Sequence, residues 1–219
     1  MDLILNLETS TKNCSVSLFN GDHEVLEKSV LSEQYSHSEN LTIFIQEVIS
    51  RSNFTLSDLA AVSVSKGPGS YTGLRVAVAV AKGLCYTLDI PLISISNLEA
   101  LSYKVIKDFP NYDLYCPMID ASRMEVFSAI FYRDNKLCRD IKSEIITSNS
   151  FKKELKNKML FFGNGSEKCK SVITSENAFF LEEIYPSSSN MGILSFNKFK
   201  NKQFEDIAYF EPLYLKDFI

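Results

Sequence analysis

Apolar and polar positions alternate over the first thirty residues in a way that predicts three short strands. Leu3 to Leu7 is an apolar run, and it ends in the polar stretch Glu8-Thr9-Ser10-Thr11-Lys12-Asn13. Cys14, Val16 and Leu18 then alternate with Ser15, Ser17 and Phe19, the period-2 pattern of a strand. Asn20-Gly21-Asp22 reads as a hairpin turn, because Asn and Gly tolerate positive φ, and Val25 to Leu31 returns as a third strand. Over 36–52 the period changes: Leu41, Phe44, Ile45 and Val48 make one face of a helix that Ser36 or Ser38 would cap. Strands are expected over 59–65 and 92–95, and a short helix over 97–104.

The helix expected over 72–88 is unusual. At about 100° per residue, Arg75, Lys82 and Tyr86 share one narrow arc, and almost every other position is apolar or small. A helix lying on one sheet needs an apolar stripe only ~100° wide, so this one is expected to be covered on a second side. Leu74, Ala77, Ala81, Leu84 and Leu88 are assigned to the sheet. Val76, Val80, Gly83 and Thr87 are left as a flat strip that another helix could approach closely, with Ile43 beside it on the helix at 36–52. The other reading is a third layer made by the chain's own C-terminal segment.

Past a break near Lys107–Asn111 the layout repeats in weaker form. Strands at 114–119 and 126–132 flank the polar loop Asp120–Arg123, and 136–146 is partly strand. Leu160-Phe161-Phe162 leads into Gly163-Asn164-Gly165-Ser166, and a helix is expected over 189–200. Two related halves imply two lobes of similar construction. The boundary is placed at 106/107, with residues 107–219 as the smaller lobe and the last helix and C-terminal segment returning to the first.

The strongest local motif is Lys66-Gly67-Pro68-Gly69-Ser70-Tyr71-Thr72-Gly73, which holds three of the chain's eight glycines between a strand and a helix. Glycine lets a backbone approach a ligand, and a helix start offers free N–H groups. Phosphate contacts from Gly67, Gly69 and Ser70, from Glu8, Thr9 and Ser10, and from Gly163 and Gly165 are therefore one reading. The loop is neither a Walker A motif nor GxGxxG, because Gly73 comes one residue late. The other reading, favoured by spacing alone, is a tight turn that lets the helix sit close to the sheet.

Composition narrows the field. Over 219 residues, 23 Lys and Arg against 27 Asp and Glu leave a net charge of −4, which argues against a free-standing nucleic-acid binder. Five widely spaced cysteines form no CxxC pair, so neither a disulfide framework nor a zinc knuckle is indicated. Two isolated histidines cannot close a zinc site. No signal peptide or membrane span is read, and a cytoplasmic location is expected.

Several segments then resemble the TsaB family in order. They are Leu3–Thr11 with Cys14-Ser15-Val16, then Lys66–Arg75, Asn97-Leu98-Glu99-Ala100-Leu101, Ile119–Arg123 with Glu125-Val126-Phe127, and Pro212–Lys216. The stretch 66–75 is specific to the family, whereas the opening strand is shared with a wider superfamily. The resemblance implies an α/β fold of the actin, Hsp70 and sugar-kinase type, two lobes each with a mixed sheet and helices, the second reduced. It implies a part in making threonylcarbamoyladenosine at position 37 of tRNAs that read codons starting with adenosine. It also implies partnership with TsaD and the ATPase TsaE, contact with tRNA through the complex, and ATP only at the assembled complex, and it leaves open a homodimer of the chain alone. TsaD proteins carry a His-x-x-x-His metal pair where this chain has Asn97 and Leu101, so the resemblance implies a non-catalytic subunit without a metal. Glu8 departs from the family, many of whose members have Asp there. A stand-alone ATPase or phosphotransferase is the alternative, and a metallopeptidase a weaker one. Elemental analysis of chelator-free protein is expected to find no zinc or iron; one tightly held ion per chain would overturn that reading.

Overall fold

The structure is a computed structural model, and it describes residues 2–32 and 37–216. Ser36, one of the two expected helix caps, lies outside the described residues. The chain divides into two compact units. Unit 1 contains the residues up to Asn97 together with Pro186–Tyr214, and unit 2 contains Leu98–Tyr185 with Leu215 and Lys216.

Unit 1 begins with the antiparallel strands β1 (Leu3–Glu8), β2 (Asn13–Asn20) and β3 (His23–Leu31). The chain then alternates through α1 (His37–Arg51), β4 (Ala61–Gly67), α2 (Tyr71–Leu88) and β5 (Leu92–Ser96). The sheet order is β3-β2-β1-β4-β5, with β4 parallel to both β1 and β5. Parallel neighbours need a crossover, and α1 and α2 supply them. Strand alternation sorts the faces. Leu3, Leu5 and Leu7 join Val16, Leu18, Val62 and Val64 in a core with Leu41, Phe44 and Val48 of α1 and Ala77, Val78 and Ala81 of α2.

Unit 2 repeats this plan. It holds α3 (Asn97–Asp108, whose first residue belongs to unit 1), β6 (Leu114–Asp120), β7 (Glu125–Tyr132), β8 (Leu137–Ile145), β9 (Met159–Phe162) and β10 (Ala178–Phe180). Its order is β10-β9-β6-β7-β8. Read from β8, this is the order of unit 1 with the same pattern of antiparallel and parallel pairs. The two crossovers are reduced here: the segments before β9 and β10 hold only the short 3-10 turns Glu154–Lys156 and Glu167–Cys169. The chain is thus an α/β protein with two related mixed sheets, the second with fewer helices. Among the described residues, no helix is long and apolar enough to cross a membrane.

Three expectations need correction. The boundary lies at 97/98 rather than 106/107, because Leu98, Leu101 and Val105 of α3 pack with Tyr115, Ile119, Phe127 and Leu160 of unit 2. The expected helix over 189–200 is a 3-10 turn, Ser188–Met191, followed by α4 (Gly192–Lys200). The buried line of α2 is Leu74, Ala77, Val78, Ala81 and Cys85, whereas Leu84 and Leu88, assigned to the sheet, are only half-buried at its margin. Phe210, Glu211, Pro212 and Tyr214 lie along the Val78 flank and line a hollow with Arg75, Ala79 and Lys82. Lys82 Nζ donates to Ala208 O (3.1 Å) and Arg75 Nε to Tyr214 Oη (3.1 Å).

Two glycines respond oppositely to the same change. A Cβ at Gly192 would lie 2.2 Å from the Phe19 ring, whereas one at Gly83 meets nothing within 4 Å among the described residues. Gly192→Ala is expected to destabilise unit 1 by about 1–3 kcal/mol. Gly83→Ala is expected to stabilise it by about 1 kcal/mol through helix propensity. Denaturant unfolding of the two variants checks both signs.

Candidate functional site

The polar loop after β1 and the glycine loop after β4 close on each other. Ser70 N–H donates to Ser10 O (2.7 Å), and Thr9 Oγ1 donates to Gly73 O (2.8 Å). Ser70 Oγ accepts from Gly73 N–H and so caps α2 (3.3 Å). A Cβ on Gly69 would stand 2.1 Å from Ser10 O, so only glycine permits this approach. Asn97 completes the junction: its Nδ2 donates to Ser10 Oγ and to Pro68 O, both at 2.7 Å. The structure therefore brings Glu8, Thr9, Ser10, Gly67, Gly69 and Ser70 together. It spends the Thr9, Ser10 and Ser70 hydroxyls on the protein itself.

Behind the loops lies a buried polar face that the strand reading missed. Asn6 sits opposite Ser17 of β2 and Ser63 of β4; Glu8 sits opposite Ser15 and beside Ser65, one step past the Leu7–Val64 pair. All six are 0% exposed. The sequence carried a signal for this in Asn6-Leu7-Glu8, Ser15-Val16-Ser17 and Ser63-Val64-Ser65, three strands with polar residues at i and i+2. The segment from Pro186 to α4 covers part of the face. Ser188 N–H donates to Ser15 Oγ (2.8 Å), and Ser195 Oγ to Ser63 Oγ (2.8 Å). Glu8 Oε1 accepts from Ser10 N–H (2.5 Å). Burial pushes the Glu8 carboxyl above the usual carboxylate range, and bonds from Ser10 and Ser65 offset this only in part.

The third glycine loop belongs to unit 2. Gly163 takes φ +99°, where a Cβ would meet Met118 O, and one on Gly165 would meet the Ile119–Asp120 backbone. Ser166 Oγ donates to Gly163 O (2.8 Å), so this loop too is tied to its own backbone. On α2, Gly83 and Thr87 are exposed and Val76 and Val80 half-buried, and Ile43 of α1 is 48% exposed. The chain's own C-terminal segment lies along the Arg75–Lys82 flank and leaves Gly83 open.

A family model described as TsaD, tRNA N6-adenosine threonylcarbamoyltransferase, matches residues 24–218. A TsaB protein of Buchnera aphidicola from Schizaphis graminum is 28% identical, over 87% of this chain and 91% of its own length. A TsaB protein of Bacillus subtilis is 29% identical, over 78% of this chain and 74% of its own. The chain belongs to this family, in its TsaB branch. The structure titled YeaZ from Pseudomonas aeruginosa has the same fold, with TM-score 0.83, 20% identity, and 98% and 100% of the two chains covered.

Within this TsaB chain, Asn97 and Leu101 are both committed to the protein's own packing. Asn97 is fully buried and holds the loops, and Leu101 is 1% exposed in the core of unit 2. Among the described residues, no group of three or more His, Cys, Asp or Glu is placed to hold a metal. Asn97→Ala removes two buried hydrogen bonds and strands both acceptors, an expected cost of about 2–4 kcal/mol. Gly69→Ala forces backbone against backbone and is expected to cost at least as much. Urea unfolding tests both; a loss below about 0.5 kcal/mol for either would show that the loops do not depend on this junction.

Proposed function

We propose that this chain is the non-catalytic subunit of the assembly that forms N6-threonylcarbamoyladenosine at position 37 of tRNAs reading codons that start with adenosine. The relatives' names support a role in that biosynthesis. The observation that carries the non-catalytic reading is the junction at Asn97: the groups that would meet a phosphate are bonded to each other. In this reading Asn97 and Leu101 stand where TsaD has its metal-binding histidines. The chain then supplies neither the Lewis acid nor the anchor for transfer.

The proposed role is to bind and hold TsaD, with TsaE joining the pair and tRNA engaged through the complex. ATP is handled at the assembled complex only. Without TsaD the same surface pairs two copies of the chain. The contact surface is the strip Val76, Val80, Gly83 and Thr87 with Ile43, small side chains that let helices approach closely.

Reconstitution tests the role. TsaD, TsaE and a source of threonylcarbamoyl-adenylate are expected to modify tRNA efficiently only when this chain is added. This chain without TsaD is expected to yield no modified tRNA, and modification by it unaided would overturn the proposal. Val80→Arg tests the surface, but Val80 also packs on the core. Gly83→Arg, projecting into open space, separates the two effects. Both are expected to keep the fold and lose several kcal/mol of association with TsaD. Unchanged co-elution of folded Gly83→Arg would place the interface elsewhere.

A further inference from the structure

We propose that Glu8 is a proton-operated latch on the loop junction of unit 1: the loops after β1 and β4 close on each other while Glu8 is uncharged, and loss of its proton opens them. Glu8 is the last residue of β1, so it sits at the sheet end from which the first loop departs. It is 0% exposed, and Thr9, Ser10 and Thr11 after it are at most 2% exposed. Its Oε1 accepts from Ser10 N–H at 2.5 Å. Ser10 is also the residue through which the junction is made. Its carbonyl accepts from Ser70 N–H and its hydroxyl from Asn97 Nδ2, both at 2.7 Å. The residue that grips the second loop therefore rests on the Glu8 carboxyl, and closure of the loops seals that carboxyl from water.

Nothing inside the seal balances a charge. Cys14 and Ser15 of β2, Ser65 of β4, and Thr9 and Ser10 of its own loop surround Glu8. Ser188 N–H donates to Ser15 Oγ, and beyond it Glu27 of β3 accepts from the Ser188 hydroxyl and the Ser189 amide, both at 3.4 Å. Glu27 is a second acid and does not relieve the first. Among the described residues, no Lys, Arg or His acts on the Glu8 carboxyl. Burial and Glu8 itself push the Cys14 thiol up to about 12, so it stays neutral. A carboxyl enclosed without a cation keeps its proton rather than carry the charge. The bonds from Ser10, Ser65 and Thr9 favour the charged form, but burial outweighs them. In the open form water reaches Glu8 and its ordinary acidity returns. The closed form thus holds the proton more tightly. Closure is fully favoured below the ordinary glutamate midpoint of about 4.3 and weakens as pH rises toward the raised one.

Two readouts on the full chain test the latch. Carbon-13 NMR of the Glu8 side-chain carboxyl is expected to show it still protonated well above the ordinary midpoint; titration near about 4.3 overturns the proposal. Hydrogen exchange then follows the Ser10 and Ser70 amides in the natural chain and in Glu8→Gln at the same pH, which cancels the intrinsic pH dependence of exchange. The natural chain is expected to exchange faster, by a ratio that widens up to about tenfold per pH unit above about pH 5 and then levels off. Both amides are expected to exchange faster than the β1 strand amides of Leu5 and Leu7, because the junction opens without loss of the sheet. A ratio that does not change with pH overturns the proposal, and so does exchange of Ser10 and Ser70 only at the strand rate. If Glu8→Gln does not fold, the carbon-13 titration decides.

Discussion

The side-chain amide of Asn97 reaches two loops that leave the sheet of unit 1 from neighbouring strands, and it bonds to both. Those loops follow β1 and β4, which lie side by side and parallel, so their ends emerge together. Groups at such an edge need partners where they are enclosed, as Gly73 and Leu74 in the first turn of α2 and the Thr9 and Ser10 side chains are. A ligand is one solution. This chain adopts the other, in which the loops serve as each other's ligand, with Gly69 removing the Cβ that would keep them apart.

The consequence runs through the whole unit. A polar sheet face is costly to bury, and here six polar residues on three strands are buried completely. Serines of the 186–200 segment repay part of that cost through Ser188 and Ser195. The C-terminal residues then turn back along α2, where Arg75 sits 3.9 Å from the Tyr71 ring and bonds to Tyr214. The same chain that covers the polar face thus also covers one flank of α2. The flank that it leaves is small and apolar, the character that a helix-packing surface needs.

Much of this was legible in the sequence. Period-2 and period-3.6 patterns locate β1, β2, α1 and α2, and the weak internal repeat anticipates the shared strand order of the two sheets. What periodicity could not supply is which neighbour each face meets. Leu84 and Leu88 have the right spacing for the sheet, but the buried line runs through Val78 and Cys85 instead. Asn97 follows β5 directly, so its helix looked like part of the first half, whereas the contacts of Leu98 and Leu101 are with unit 2. The Asn6-Leu7-Glu8 and Ser-Val-Ser triplets were visible as strand alternation. Their meaning as a buried polar face depends on the register of three strands, a long-range fact.

The central claim is that the two loops are closed on each other and therefore do not grip a nucleotide. Calorimetric titration of the purified chain alone with magnesium-ATP addresses this most directly. The account predicts no saturable heat at millimolar nucleotide, and the same silence from Asn97→Ala if that variant stays folded. Stoichiometric micromolar binding by the natural chain would contradict it, because the nucleotide would then have to displace the contacts among Ser10, Pro68, Ser70 and Asn97.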